Sequence, residues 1–221
     1  MSTPVTPEQR IARGLVFSET MSGPFSLGES DPVRGAAAGR AARTPLTMRV
    51  TISIADVGAF ARDPSHAAEL GGHVTFGLLG ERVPAVGGVV RLFASREESD
   101  GPMNTKVMYY GLRLAHAPRE LYLAGEKHVD GRSVLSMWSE TTTLFTRLHD
   151  GADDAAPVIG AGVLRLSPFD LLRTLPTVRP ARSAPIATLA RFGAFFAGEL
   201  WSSYVARRPA PADRGPNARR V

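Results

Sequence analysis

The sequence predicts a mainly β protein, an antiparallel β-barrel of seven or eight strands with a C-terminal α-helix. Three observations predict it. Runs in which apolar and polar residues alternate recur along most of the 221 residues, as they do in half-buried strands. The dipeptide Asp130-Gly131 stands between two such runs and indicates a hairpin turn. Beyond residue 166 the apolar period lengthens from two residues to about 3.6, the period of a helix.

The hairpin is the most informative segment, because a two-residue turn at Asp130-Gly131 would fix its register. The predicted pairs are Leu121 with Glu140, Leu123 with Trp138 and Lys127 with Val134. These residues share one face with Gly125 and Thr142, and this face is the more apolar of the two. We therefore expect it to point into the barrel.

Alternation predicts the other strands in the same way. They cover residues 46–54, 72–79, 82–94, 105–116 and 158–166, and residues 15–25 supply an eighth strand if they join the sheet. In the first of them Met48, Val50, Ile52 and Ile54 share one face. Such a set of strands, followed by a terminal helix, is typical of barrels of the calycin or allene-oxide-cyclase kind. Their interior holds side chains or one small ligand.

Two segments between the strands have other patterns. Gly28–Thr44 is rich in Gly, Ala and Arg and predicts a loop, whose glycines allow close backbone approach or a positive φ. It is not a phosphate-binding loop, because the Gly-Lys-Ser/Thr ending is missing. Asp31 within this segment and Glu19 before it are expected to serve in turns or caps. Asp56–Glu69 predicts a short helical or looped excursion.

The C-terminal part predicts a short helix over Ser167–Leu175 and a long one over about residues 185–206. Apolar positions of the long helix, three or four residues apart, are Ile186, Leu189, Gly193, Phe196, Leu200 and Tyr204. We expect this face to lie on the outside of the sheet. The chain thus divides into a flexible start at 1–13, a single barrel domain at 14–206 and a disordered basic tail at 207–221.

Composition excludes several functional classes. The chain has no cysteine and therefore no disulfide, thiolate nucleophile or cysteine-based zinc site. Of its formal charge of +5, the tail contributes most, with five arginines against one aspartate, so a nucleic-acid partner is not expected. No run of about 18 apolar residues predicts a membrane span. The N-terminus lacks the apolar core of a secretory signal, which favours the cytoplasm.

Landmarks spread over residues 15–206 resemble a known module. They are Phe17, Glu19, Met21, Gly23, Asp31, Gly35, Gly39, Leu92-Phe93, Met108, Tyr110, Gly125, Lys127, Thr141-Thr142-Thr143-Leu144, Gly160 and Gly162. Their order and spacing resemble the β-rich module that accompanies sterol-oxidase-like flavoproteins of the glucose-methanol-choline type in bacteria. The resemblance implies a sterol or lipid context and an oxidoreductase of the same pathway as a partner. It implies no flavin in this chain, because that family binds flavin in the neighbouring domain and the Gly-x-Gly-x-x-Gly motif is absent here.

Lys127 is the candidate site residue that the hairpin singles out, since its ammonium shares the apolar face. It can pair with a carboxylate from another strand or reach the barrel mouth. It can also anchor a ligand, or act as a catalytic lysine with a lowered pKa. The candidate ligand-binding residues are Lys127, Trp138, Tyr110, Leu123 and Thr142.

Glu140 and Tyr110 are the candidate catalytic residues, because an internal carboxyl and a tyrosine can serve as general acid and base. The predicted register puts Glu140 about 20 Å from Lys127, at ~3.3 Å per residue, so the two cannot pair directly. No two of the five histidines stand two to four residues apart, and a Gly-x-Ser-x-Gly motif is absent. A zinc site and a serine hydrolase are therefore not expected.

Three functions fit these observations, and the sequence leaves them open. The first is a binding or accessory protein that holds a small apolar molecule, sterol-, terpene- or polyketide-like, in space that glycines leave free. The second is a cofactor-independent cyclase or isomerase that acts inside the barrel by acid/base catalysis. The third is a partner-docking module with a filled core. They differ in whether the barrel interior is empty.

Overall fold

The computed structural model describes residues 14–95, 106–129, 142–166, 179–180 and 186–205. Within these ranges the protein is a closed antiparallel barrel of eight strands with a C-terminal helix, which confirms the predicted fold class. The barrel strands are β1 (Leu15–Leu27), β2 (Pro45–Ile54), β3 (Ala67–Phe76), β4 (Gly80–Ser95), β5 (Lys106–His116), β6 (Arg119–Val129), β7 (Thr143–Asp150) and β8 (Val158–Leu166). A short strand, β9 (Arg179–Pro180), pairs with the start of β1. The helices are α1 (Pro32–Ala42), α2 (Val57–Arg62) and α3 (Ile186–Val205).

The strands form an up-and-down meander that closes through β1. Each strand pairs with the next one along the chain, and β8 pairs back with β1. Met21 of β1 shows the closure, because it faces Met48 of β2 on one side and Leu166 of β8 on the other. The N-terminal strand that alternation left optional is therefore a full member of the barrel.

Side chains fill one end of the barrel. Phe25 and Phe76 lie edge to face with ring centroids 5.3 Å apart, and neither has accessible surface. Leu46, Leu121 and Leu148 are buried equally completely at this end. The register brings the end of β1, the start of β2 and the start of β6 together there.

The glycines on β8 do not leave interior space, so this expectation was wrong. A Cβ atom at Gly160 would lie 2.8 Å from Cε1 of Phe25, and one at Gly162 would lie 2.7 Å from Cδ2 of the same ring. The missing side chains let the phenylalanine ring pack directly on the strand backbone. Here glycine serves close packing, and the Phe25 ring fills the interior at this end of the barrel.

The predicted register of the central hairpin is also wrong. Strand β6 pairs with β7, so Leu121 faces Asp150 and Leu123 faces Leu148, instead of Glu140 and Trp138. The turn dipeptide Asp130-Gly131 lies outside the described residues. The dipeptide indicates a turn but does not determine which segment pairs with β6. Pairing depends on which segment can complete the barrel wall with an alternating pattern. Thr143–Asp150 has that pattern.

The segment predicted as a loop after β1 contains helix α1. Asp31 caps it, with the Arg34 amide donating to Oδ1 at 2.8 Å, and a proline follows at the first position of the helix. The glycines allow the close approach that the sequence predicted. A Cβ at Gly35 would lie 2.2 Å from the carbonyl oxygen of Ala161, so the helix packs directly on the outer face of β8.

Helices α2 and α3 cover the other end of the barrel. The bounds of α3 agree closely with the prediction, but its packed face is centred on Leu189, Phe192, Phe195 and Phe196, and Gly193 is exposed. The aromatic contacts are Phe192 with Phe17, Phe195 with Phe60 and His66, and Phe196 with Phe93. Phe17 and Phe93 belong to the barrel core, so α3 lies across the open end and not along the outside of the sheet as predicted.

The predicted short helix, the N-terminal segment 1–13 and the basic tail lie outside the described residues. Among the helices that the structure does describe, none is both long enough and apolar enough to cross a membrane.

Candidate functional site

Three polar side chains meet inside the barrel, and they form the candidate site. Lys127 donates from Nζ to the hydroxyl oxygen of Tyr110 at 3.0 Å and to Oε2 of Glu19 at 3.5 Å. Tyr110 donates its hydroxyl hydrogen to the same Glu19 oxygen at 3.1 Å. The ammonium also lies 4.7 Å from the centroid of the Tyr110 ring. We refer to these three residues as the polar cluster.

The barrel topology brings the polar cluster together from three strands. Glu19 is on β1, Tyr110 on β5 and Lys127 on β6, so β7 and β8 separate the glutamate strand from the lysine strand. Tyr110 and Lys127 are near neighbours in the β5–β6 ladder, where Met108 faces Lys127 and Tyr110 faces Gly125. The bonds to Glu19 therefore cross the lumen of the barrel.

The members of the polar cluster differ in exposure. Side-chain exposure is 2% for Lys127 and 14% for Glu19. Phe17 precedes Glu19 by two residues on the interior face of β1, roughly 7 Å away, and carries the contact with Phe192 of α3. The polar cluster thus lies one layer below the helix that covers this end of the barrel.

Electrostatics fix the protonation state of the tyrosine. Burial raises the pKa of Tyr110 well above its ordinary value, and the negative charge of Glu19 and the hydrogen bond to it raise the pKa further. Tyr110 is therefore a protonated hydrogen-bond donor near neutral pH. The charges in the cluster are one ammonium and one carboxylate, which balance.

The structure places the sequence-predicted site residues as follows. Lys127 pairs with a carboxylate from another strand, as one of its predicted roles required, and Tyr110 lies beside it. Leu123 is buried on the same face of β6, and Thr142 is buried directly before β7. Neither takes part in the bonds of the polar cluster. Trp138 and Glu140 lie outside the described residues.

Glu19 is the site residue that sequence reasoning missed, since we expected it to serve in a turn or a cap. It stands instead in the middle of β1, between Phe17 and Met21 on the interior face. Its partner Lys127 is 108 residues away in sequence. A signal was available in the sequence. Glu19 and Lys127 each occupy an inward-facing position of an alternating strand, and their charges have opposite signs, so a closed barrel can pair them.

Two clefts on the outer surface are weaker candidates. One, of about 590 Å³, lies beside α2, and two of its carboxylates, Asp56 and Asp63, already accept bonds from the amides of Ala59 and Ser65. The other, of about 470 Å³, lies between α1 and the outer face of β6 and β7. There Asp31 caps α1, and Arg147 donates to the carbonyl of Ser30. These charged side chains are engaged in hydrogen bonds to the backbone of nearby helix ends and turns.

Metal-binding chemistry has no candidate in the described part of the chain, where no three His, Asp or Glu side chains are grouped as metal ligands would be. Comparisons with protein-family models, with curated proteins and with solved structures found no match to this chain.

Proposed function

We propose that this protein binds a small, mostly apolar molecule at the end of the barrel that α3 covers, and that the polar cluster holds the polar group of that molecule. One observation carries the proposal. A lysine and a glutamate are placed inside a hydrocarbon core, and the glutamate keeps some accessible surface. Burying both charges costs free energy that apolar side chains of similar size would not cost. A role beyond packing is the natural reason to keep them.

The packing of the barrel restricts where such a molecule fits. The end that contains Phe25 and Phe76 is filled by side chains without accessible surface. At the other end, Phe17 keeps 9% exposure on the interior face, next to Glu19. The space for a ligand is therefore expected between the polar cluster and α3, where Phe17 and Phe192 supply apolar walls.

Helix α3 is a suitable cover for such a site. Its described packing against the barrel is through side chains, chiefly the phenylalanines at 192, 195 and 196 and the bond between Lys106 and Glu199. Moving it would break none of the ladder bonds between the barrel strands. This arrangement supports entry of a ligand under the helix while the barrel keeps its fold.

The resemblance to the module of sterol-oxidase-like flavoproteins supports a sterol or other lipid as the ligand and an oxidoreductase as the partner in the pathway. The filled half of the barrel supports the partner-docking alternative, but that alternative gives no role to the polar cluster. A cyclase or isomerase would need a group that gains or loses protons readily, and the raised pKa of Tyr110 makes it a poor proton donor and acceptor near neutral pH. Binding is the better-supported function.

Titration of the full chain with the neutral apolar dye Nile red tests this proposal. We expect one saturable site with increased emission. Phe17→Trp, which fills space on the interior face of β1, should weaken dye binding at least about tenfold. The matched control is Val16→Trp, on the outward face of the same strand, and it should bind as the parent does. Dye binding that is unsaturable, or equal in both variants, would contradict the proposed site.

A further inference from the structure

The free oxygen of Glu19 indicates which chemical group the site takes. Both described bonds of this carboxylate go to Oε2, and Oε1 has no hydrogen-bond partner among the described residues. No buried side-chain nitrogen or oxygen atom in the described part of the chain lacks a partner, so Oε1 must have accessible surface. It is the atom of the polar cluster that a bound molecule can reach.

The charge around this oxygen selects among ligand groups. A carboxylate only accepts hydrogen bonds, so the group that binds Oε1 must be a donor. An anionic ligand group would be repelled by Glu19. A cationic group would approach the ammonium of Lys127, which is only 3.5 Å from the other oxygen of the same carboxylate. A neutral hydroxyl donates one bond and avoids both repulsions.

The surroundings select the rest of the ligand. Phe17 and Met21 flank Glu19 on the interior face of β1, and Phe192 of α3 lies over Phe17. On the α3 side of the polar cluster, Phe17 and Phe192 offer aromatic surface, whereas Met21 is fully buried on the other side. This surface favours a hydrocarbon body.

We propose that the ligand is an uncharged, mostly hydrocarbon alcohol whose hydroxyl group donates a hydrogen bond to Oε1 of Glu19. This inference rests on the proposed function, since it names the ligand class of the same site. Tyr110 and Lys127 are positioning residues here, because their two bonds hold Oε2 and thereby leave Oε1 to accept from the ligand.

Four probes that share an eight-carbon chain test the ligand class, with affinity measured by displacement of Nile red from the full chain. They are 1-octanol, methyl octyl ether, octanoate and octylammonium. We expect 1-octanol to bind at least about tenfold more tightly than the ether, because a hydrogen bond to a charged acceptor contributes that much. Octanoate and octylammonium should both bind more weakly than 1-octanol.

A paired variant separates the role of the hydrogen bond from that of the fold. Glu19→Gln combined with Lys127→Met removes both charges, so it leaves no unpaired ion that could unfold the barrel. The Gln side chain keeps the length of Glu, and the Met side chain is one atom shorter than that of Lys. In this variant the preference for 1-octanol over the ether should fall to within about twofold. If Nile red binds at the predicted site but octanoate is the tightest probe, or the alcohol and ether bind equally, the ligand class is wrong and the proposed function stands. If neither the dye nor any probe binds the parent chain, both proposals are wrong.

Discussion

Lys127 and Glu19 form an ion pair across the lumen of the barrel, with Nζ 3.5 Å from Oε2 and two strands between β6 and β1. Because the side-chain exposure is 2% for the lysine and 14% for the glutamate, water solvates these charges only slightly. Their mutual attraction and the hydroxyl of Tyr110 replace that solvation. Losing one partner should therefore have a different effect from losing both.

Lys127→Met should lower the free energy of unfolding by about 3 kcal/mol, because it leaves the Glu19 carboxylate in the core without its cation. Adding Glu19→Gln should recover most of the lost free energy of unfolding, since neither charge then remains in the core. Urea denaturation of the parent, both single variants and the double variant measures the coupling between the two residues.

The control for this cycle is the exposed pair of Arg119 and Asp150. Their side chains are 50% and 42% exposed, with Nη2 2.7 Å from Oδ2. Solvent screens such a pair, so Arg119→Met should leave the urea midpoint unchanged within error. Equal losses at Lys127 and Arg119 would mean that the interior pair is solvated.

The strands were largely predictable because burial imposes a period of two residues on each of them. In β2 the side chains of Met48, Val50, Ile52 and Ile54 are buried, as alternation predicted. The hairpin register was not predictable in this way. Leu123 faces Leu148, ten residues beyond the predicted partner, and a shift by an even number of residues leaves every side chain on its original face. The interior position of Lys127 was therefore predicted correctly from a wrong register.

The candidate site was only half predictable. Alternation could place Tyr110 and Lys127 on the inward face, but their meeting with Glu19 depends on the closure of β1 against β8 and β2. No local pattern encodes a contact over 108 residues. Helix α1 was missed because its glycines, which disfavour a helix by propensity, serve close packing here, as Gly35 does on β8.

Gly162→Ala should destabilise the barrel by about 1 to 3 kcal/mol, the usual cost of overpacking. The new methyl group would lie 2.5 Å from the carbonyl oxygen of Pro24 and 2.7 Å from the Phe25 ring, and the backbone cannot move without disturbing the β1–β8 ladder. Thermal unfolding compares this variant with Gly71→Ala on β3, where the added Cβ would meet nothing within 4 Å. If the two midpoints fell equally, Phe25 would not be packed against β8 as described.

Phe195→Ala should lower the free energy of unfolding by about 2 kcal/mol, as expected for a phenylalanine that is largely removed from water. Its ring lies 4.8 Å from His66 and 5.4 Å from Phe60, measured between centroids, so it holds α3 to α2 and to the start of β3. Ala194→Ser, on the exposed side of the same helix, is the control and should lower the free energy of unfolding by only about 0.5 kcal/mol, the difference in helix propensity. If the Phe195→Ala variant were as stable as the parent in urea denaturation, α3 would not depend on this contact to stay on the barrel.

Tyr110 should make the protein less stable at alkaline pH. Its pKa in the folded state is raised by burial and by Glu19, whereas in the unfolded chain it is about 10. Above pH ~10 the unfolded state therefore loses the tyrosine proton while the folded state keeps it. The free energy of unfolding then falls with rising pH, by up to ~1.4 kcal/mol per pH unit for this one group. Below pH ~10 Tyr110 is protonated in both states, so it does not change the free energy of unfolding with pH.

Tyr110→Phe isolates this effect from the other groups that titrate at high pH. The variant loses the bonds to Glu19 and Lys127, so it should be less stable than the parent at pH 8. It also has no phenolic proton to lose. The stability gap between parent and variant should therefore narrow as the pH rises from 9 to 11, when both are followed by urea denaturation at each pH. A gap that stayed constant over this range would mean that the folded barrel gives up the Tyr110 proton as readily as the unfolded chain, and that the polar cluster is open to water.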